Sequence, residues 1–282
     1  MKPLYFTPRN KYKAISLTGS WCALNCKFCG GKYLLNMIHV SPMNVEEVIR
    51  ELYDSGVRGL LLSGGFRRDG TLPIEPYVDK LRVIKRELEL IISAHLGLVT
   101  SRDLLADLRE IVDVVDFEFT LSSFIVNYVR GFEFSVKKYI ESLEKITECG
   151  LHVVPHIYVW HPEIKSEVLR EELRIISDLG LEEVTLLVYM NSDVSYKPIE
   201  LSEKIVRNTK YARSIFHGKL YMGCMRPGYI KPIVDPVLIR EILVDRVANP
   251  YYKAVREHPG EIYDACCSIP LNTTTRTLFT LL

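Results

Sequence analysis

The chain has 282 residues, 48% of them hydrophobic, with 36 basic side chains against 35 acidic ones. That length buries a full core as one large α/β domain or two small ones, and a net charge of +1 provides no surface for nucleic acid or a membrane, so neither is an expected partner. No apolar run reaches transmembrane length, the start Met1-Lys-Pro-Leu-Tyr-Phe-Thr-Pro carries no signal peptide, and 7 cysteines, an odd number with three clustered, fit a reducing cytoplasm.

A first strand is predicted over residues 12–18, leading directly into Trp21-Cys-Ala-Leu-Asn-Cys-Lys-Phe-Cys-Gly30. The C-x3-C-x2-C spacing puts Cys22, Cys26 and Cys29 on one short loop, suited to three corners of an iron–sulfur cube. A [4Fe–4S] cluster held by three thiolates keeps one iron open, and an open iron can bind a ligand and do chemistry. Zinc with a distant fourth ligand is the alternative, yet no second C-x2-4-C knuckle or H-x3-5-H pair follows. Unconnected buried thiols would not sit among Lys27, Gly30, Gly31 and Lys32, and the two lysines read as solvated surface groups.

Beyond the loop, Asn44 is placed to cap a helix with Val45, Val48, Ile49 and Leu52 at helical spacing and Gly56 as its stop. Residues 58–62 form an apolar strand ending in Ser63-Gly64-Gly65. A helix over 74–88 leads to a strand at 90–93, and a helix over 101–111 leads to a strand at 112–121. Ser135 opens a helix ending at Gly150, with Cys149 beside it as a small buried hydrophobe. A strand at 151–159, a helix stopped by Gly180 and a strand at 183–189 follow. These are six strand–helix cycles with almost continuously apolar strands, as in a parallel sheet buried on both faces. No linker or low-complexity stretch divides them. Periodicity leaves a doubly wound sheet and a full or partial barrel both open, but either gathers active residues at the strands' C-terminal ends. His95, ending the third strand, is therefore a candidate site residue or a hydrogen-bonded packing residue.

The last quarter of the chain carries three more thiols. Cys224 ends a predicted seventh strand at 219–222, in Met222-Gly-Cys-Met-Arg-Pro-Gly228. Cys266 and Cys267 are adjacent in Asp264-Ala-Cys-Cys-Ser-Ile-Pro270. Together they are candidates for a second iron–sulfur cluster, with Arg226 or Ser268 as unusual ligands or neighbours; scattered buried thiols are the alternative.

The cysteine loop, with Phe28 at the aromatic position of C-x3-C-x-aromatic-C, resembles that of the radical S-adenosylmethionine (SAM) superfamily. The resemblance implies an α/β fold, a partial (β/α)6 TIM-like barrel, here spanning 1–234 with a C-terminal helix and cysteine-containing tail over 235–282. It implies a [4Fe–4S] cluster whose open iron is chelated by SAM, and a 5′-deoxyadenosyl radical that removes hydrogen from an unactivated carbon. Ser63, Gly64 and Gly65 stand where the family has Gly-Gly-Glu-Pro. The Glu and Pro are absent, which leaves the SAM amine to backbone carbonyls. Glu118 or Ser122 corresponds to a polar ribose ligand, the two sharing a face if the strand continues. His156 lies where the family approaches adenine, or is a core histidine bonded to a carbonyl.

The Gly-Cys-Met-Arg-Pro-Gly and Ser-Gly-Gly-x-x-Arg-Asp-Gly runs resemble those of archaeal two-subunit lipoyl synthases, in the biotin-synthase-like branch. That implies sulfur insertion from a second cluster into an octanoyl group, a paralogous partner subunit, a lipoyl-carrier protein or octanoyl-lysyl peptide, and a reducing electron donor. Radical SAM chemistry of another kind (methylation, rearrangement or cofactor assembly) and a non-catalytic iron–sulfur scaffold subunit are the alternatives.

Overall fold

The computed structural model describes residues 2–190 and 196–281. In chain order the elements are β1 (Leu4–Phe6), β2 (Tyr12–Ser16), β3 (Ile38–His39), α1 (Val45–Asp54), β4 (Gly59–Ser63), α2 (Val78–Glu87), β5 (Ile91–Ala94), α3 (Arg102–Leu108) and β6 (Val114–Glu118). They continue with α4 (Lys137–Glu148), β7 (Val153–Trp160), α5 (Ser166–Asp178), β8 (Glu183–Val188), α6 (Pro198–Ile215) and β9 (Lys219–Met222). The chain closes with α7 (Lys231–Arg240), β10 (Arg246–Ala248), α8 (Tyr252–Glu257), β11 (Glu261–Tyr263) and α9 (Thr273–Phe279).

Among the described residues all strands join one parallel sheet in the order β11-β1-β10-β9-β8-β7-β6-β5-β4-β2-β3. From β4 to β10 each strand lies beside its predecessor. Right-handed crossovers then place every intervening helix on the same face. A doubly wound sheet needs a reversal of order to cover its second face, and none occurs along this run. The uncovered face must instead curl upon itself, which gives the partial barrel. β2, β4, β5, β6, β7 and β8 are the six expected strands. The segment 235–282 adds more than a helix and a tail: β10 and β11 extend the sheet, and β1 slots between them.

The outer face buries Leu60, Leu62, Ile92, Val115, Phe117, Ile157 and Leu186 with helix residues such as Ile49, Leu81, Leu143 and Ile176. The inner face holds a second cluster, including Tyr12, Val114, Val154, Tyr221, Ala265, Cys267, Ile269 and Phe279. The tail thus plugs the barrel from the end where the strands begin. Asp264 fastens it there, accepting the backbone N–H groups of Arg9, Asn10 and Lys11 at 2.5, 2.8 and 2.9 Å. Arg246 donates to the carbonyls of Cys267 and Ile269 at 2.6 and 2.8 Å.

Two predicted elements differ from those observed. Asn44 precedes α1, but its side chain turns back to accept from Ser41 N–H and Oγ–H rather than capping the helix. The strand predicted over 112–121 is only Val114–Glu118, and Phe124–Val129 forms a π-helical turn beyond it. Glu172 of α5 holds the intervening loop, its carboxyl accepting Leu121 N–H at 2.7 Å.

Burial raises the Glu172 carboxyl to about 8 from an ordinary 4.5. Between those values the folded state keeps a proton that the unfolded chain has lost, so stability falls as pH rises, by up to about 1.4 kcal/mol per unit. Glu172→Gln retains an acceptor for Leu121 and is expected to flatten that decline, measured as the unfolding free energy from urea titrations at pH 5 to 8.

Candidate functional site

The cysteine loop leaves the C-terminal end of β2 and is strapped to the turn after β4. Leu17 N–H donates to Ser63 O (2.8 Å), Ala23 N–H to Phe66 O (2.9 Å), and Gly65 N–H to Thr18 Oγ1 (2.6 Å). Thr18 in turn donates to Trp21 O at 2.9 Å. On its other side the loop is fixed to the π-helical turn by Lys27 N–H donating to Val129 O at 3.0 Å. Gly65 makes this approach feasible: a β-carbon there would lie 1.7 Å from Trp21 O and 2.5 Å from Cys22 Cα. The glycine expected to admit a ligand is thus required first for the loop itself.

Phe66 N–H donates to Cys22 Sγ at 3.4 Å. Cys26 is buried, while Cys22 and Cys29 are half-buried. A hydrogen bond from Cys26 lowers Cys29 to about 6, and the same contact raises Cys26. The loop therefore carries soft sulfur donors with thiolate character, the donor type that iron–sulfur clusters use. Among the described residues no three His, Cys, Asp or Glu side chains close on a position for a single metal ion.

Arg130, which sequence reasoning passed over, organises the wall beside this loop. It donates to Cys26 Sγ at 3.4 Å, forks onto both oxygens of Glu118 and lies 4.6 Å over the ring of Phe28. Tyr158 Oη–H donates to Glu118 at 3.0 Å. Glu118, one of the two candidates for the ribose, orients this arginine. A cation and N–H donor beside a cluster thiolate would raise the cluster's reduction potential. The double variant Arg130→Met/Glu118→Gln avoids leaving a buried carboxylate alone. It is expected to keep its iron content and show a lower potential in an EPR-monitored redox titration.

The remaining expected residues are distributed as follows. Ser63 Oγ pairs with His95 Nδ1 at 3.1 Å, which makes His95 part of the wall at the end of β5. The carbonyls of Gly64 and Gly65 accept no backbone hydrogen bond among the described residues; they can face a ligand ammonium. Ser122 lies past the end of β6, so strand alternation does not pair it with Glu118. It is buried at the foot of the π-helical turn, its carbonyl accepting Val126 N–H. His156 Nδ1 faces Val154 O at 2.9 Å, the carbonyl-bonded alternative, while Nε2 points to Asp116 Oδ1 at 3.9 Å. Lys27 is not merely solvated: its ammonium lies 3.4 Å over the Tyr128 ring.

Cys266 and Cys267 lie in the tail that fills the barrel, and Cys224 follows β9. Cys224 has substantial accessible surface, yet desolvation first and the charge of Cys266 second push its thiol up to about 11. Both observations hold for a side chain facing a concave lumen. Burial first, and then the charges of Cys29 and Cys224, hold the Tyr33 hydroxyl above its usual range. Cys266 and Cys267 are in side-chain contact with each other, with Cys266 Sγ 3.3 Å from Ser268 Oγ. Arg226 is not available as a ligand. Its guanidinium is fully buried against Asp235 at 3.0 and 3.1 Å and donates to the carbonyls of Gly223 and Ala248. Cys149, expected to be buried, is half-buried and packs against the core at the end of α4.

No curated protein matches the chain. Among solved structures, HydG, a maturase of the [FeFe]-hydrogenase, superposes with TM-score 0.59 at 12% identity, over 88% of this chain and 56% of HydG. SuiB of Streptococcus suis bound to S-adenosylmethionine gives 0.58 at 14% identity, over 82% of this chain and 52% of SuiB. Methylornithine synthase (PylB) gives 0.55 at 13% identity, over 87% and 72%. The chain thus spans about half the length of the first two; these likenesses establish the fold. The profile of the Radical SAM superfamily matches residues 16–174, from the end of β2 into α5, a segment that contains the cysteine loop, the Gly64-Gly65 turn and Arg130. The chain belongs to the radical SAM superfamily, whose members use a [4Fe–4S] cluster and S-adenosylmethionine.

Proposed function

We propose that this protein inserts sulfur at unactivated C–H bonds of a protein-bound octanoyl group, the chemistry of lipoyl synthesis. Bound together, the cluster and SAM supply a radical able to take hydrogen from an unactivated carbon. Cys22, Cys26 and Cys29 would hold the cluster, with Phe28 and Arg130 packed against it. The carbonyls of Gly64 and Gly65 would receive the SAM ammonium, and Ser122 and His156 would contribute to the same pocket. Cys224, with Cys266 or Cys267, would hold a second cluster as the sulfur source. A lipoyl-carrier protein or octanoyl-lysyl peptide, a paralogous partner subunit and a reducing donor belong to this reading.

The observation that supports this reading is that Cys266, 42 residues beyond Cys224 in the chain, is in side-chain contact with Cys267 in the tail that fills the barrel. Anaerobic reconstitution tests it. The parent should bind about eight irons and the Cys224→Ala/Cys266→Ala variant about four. With an octanoyl-lysyl peptide the parent should lose sulfide as it turns over. About four irons in both proteins would rule out the second cluster.

One observation favours radical SAM chemistry without sulfur transfer, such as methylation, rearrangement or cofactor assembly. The lumen wall carries His95, Asp116, Glu118 and His156, more polarity than an octanoyl chain needs. Turnover of SAM with sulfide content unchanged would select that reading. No helix among the described residues is long and apolar enough to cross a membrane.

A further inference from the structure

We propose that the cavity between α5 and α6, in the helical layer outside the barrel, binds a small organic phosphate. The assignment is independent of the sulfur-insertion reading.

The cavity has a volume of about 630 Å³, within the range of small-molecule sites. Its side walls follow from helical spacing. Lys204, Arg207, Asn208 and Tyr211 are three, four and seven residues apart and share one face of α6, while Ser166 and Arg170, four apart, share one face of α5. The two helices are neighbours, and these faces line the same space. Because both helices cover the outer face of the sheet, that space is separate from the lumen.

The floor is the end of β7. A register shift between Tyr158 and Trp160 in the pairing with β8 changes the side-chain alternation there, and Trp160 and His161, consecutive and both buried, line the cavity. Trp160 meets Tyr196 edge-on at 4.8 Å, and His161 stacks on Phe124 at 5.3 Å with the ring planes 9° apart. Asn208 Nδ2–H donates to Val159 O at 2.9 Å, tying α6 to the strand. The walls are thus held in place before a ligand arrives, which lowers the cost of binding.

Charge decides the kind of ligand. Three cations line the cavity, Arg170, Lys204 and Arg207, against one carboxylate, Glu167. Lys204 is bonded to Glu200 at 2.8 Å, but among the described residues Arg170 and Arg207 form no ion pair. The other arginines of the same helices are paired: Arg174 with Glu171 and Asp178, and Arg213 with Asp245. The two guanidiniums without a carboxylate are therefore those that face the cavity. The N–H groups of Ser166 and Glu167, at the start of α5, also meet no acceptor among the described residues, and Lys165 provides no side-chain cap, so the positive end of the helix adds to the same field. Guanidiniums bind phosphate through paired N–H donors. A phosphate ester offers three acceptor oxygens and up to two charges, enough to engage both arginines, where a carboxylate has two oxygens and one charge. Trp160, Tyr196 and Tyr211 supply ring surface for the organic part.

The reconstituted full-length protein, saturated with SAM to fill the lumen and kept without reductant, is titrated calorimetrically with UMP, uridine, inorganic phosphate and malonate. UMP should bind saturably and about tenfold or more tighter than uridine, and Arg170→Gln/Arg207→Gln should weaken it about tenfold or more. Without ligand the double variant should melt with the parent, since neither arginine holds an ion pair. Uridine binding as tightly as UMP, malonate as tightly as phosphate, or no saturable binding of UMP at millimolar concentration overturns the proposal. A double variant that binds UMP like the parent does so too. If the double variant melts lower, competition in the parent decides: inorganic phosphate should displace UMP, and failure to displace it overturns the assignment.

Discussion

Gly65→Ala is expected to unseat the cysteine loop, with the melting temperature and the iron content falling together. The added carbon would sit 1.7 Å from Trp21 O and 2.6 Å from Trp21 C. Both are backbone atoms of a loop fastened by Ala23 N–H to Phe66 O and by Thr18 to Gly65 N–H, so no side-chain rotation relieves the clash. The cost should reach or exceed the upper end of overpacking penalties, about 3 kcal/mol. Gly64→Ala is the matched control. Its β-carbon would meet Thr18 Oγ1 at 3.0 Å and Leu72 Cδ1 at 3.2 Å, side-chain atoms rather than backbone, so the loss should be clearly smaller than that of Gly65→Ala. Thermal unfolding of the full-length chain and iron assay after reconstitution read both effects. Equal behaviour of the two variants would show that the loop does not depend on the Gly65 contact.

Single replacement of Cys22, Cys26 or Cys29 by alanine is expected to abolish reductive cleavage of SAM to 5′-deoxyadenosine and remove about four irons per chain. Outer-shell partners alone change metal affinity or activity by about 10–100-fold, so loss of a direct thiolate should exceed a hundredfold. Cys149→Ala serves as comparison. That side chain packs beside the core at the end of α4, and its loss should leave iron content and SAM cleavage unchanged. Iron content unchanged in all three loop variants would exclude the triplet as the cluster's ligands.

Much of this arrangement was legible in the amino-acid order. The six strand–helix cycles, the stop glycines and the cysteine loop after the first of those strands are local signals, set by periodicity and spacing within a few residues. β9 was bounded correctly for the same reason. The errors fell where a local pattern was extended past its physical cause. Strand alternation linked Glu118 to Ser122, but β6 ends at Glu118 and a π-helical turn begins soon after. Arg226 looked like an unusual ligand until its guanidinium proved fully committed to Asp235.

Two groups left a trace that could have been followed. Asp116 and Glu118 are acids two apart in the otherwise apolar run Val114-Val-Asp-Phe-Glu-Phe119, which marks the inner face of β6 as polar. Arg130 closes the largely apolar turn Phe124-Ile-Val-Asn-Tyr-Val129, a lone cation at the end of an otherwise uncharged run.

By itself the sequence determined the superfamily, the soft-donor chemistry of Cys22, Cys26 and Cys29, and a parallel α/β architecture, because thiol spacing and hydrophobic period act over short stretches of chain. Only the tertiary structure decided barrel over doubly wound sheet, because that depends on strand order and on every crossover sharing one hand. It also decided which side chains meet. Arg130 reaches Cys26 across 104 residues, and the tail carries Cys267 into one cluster with Tyr12, Val114 and Val154. Such contacts arise from the curl of the sheet and its plugging from below, through separations that no local pattern records.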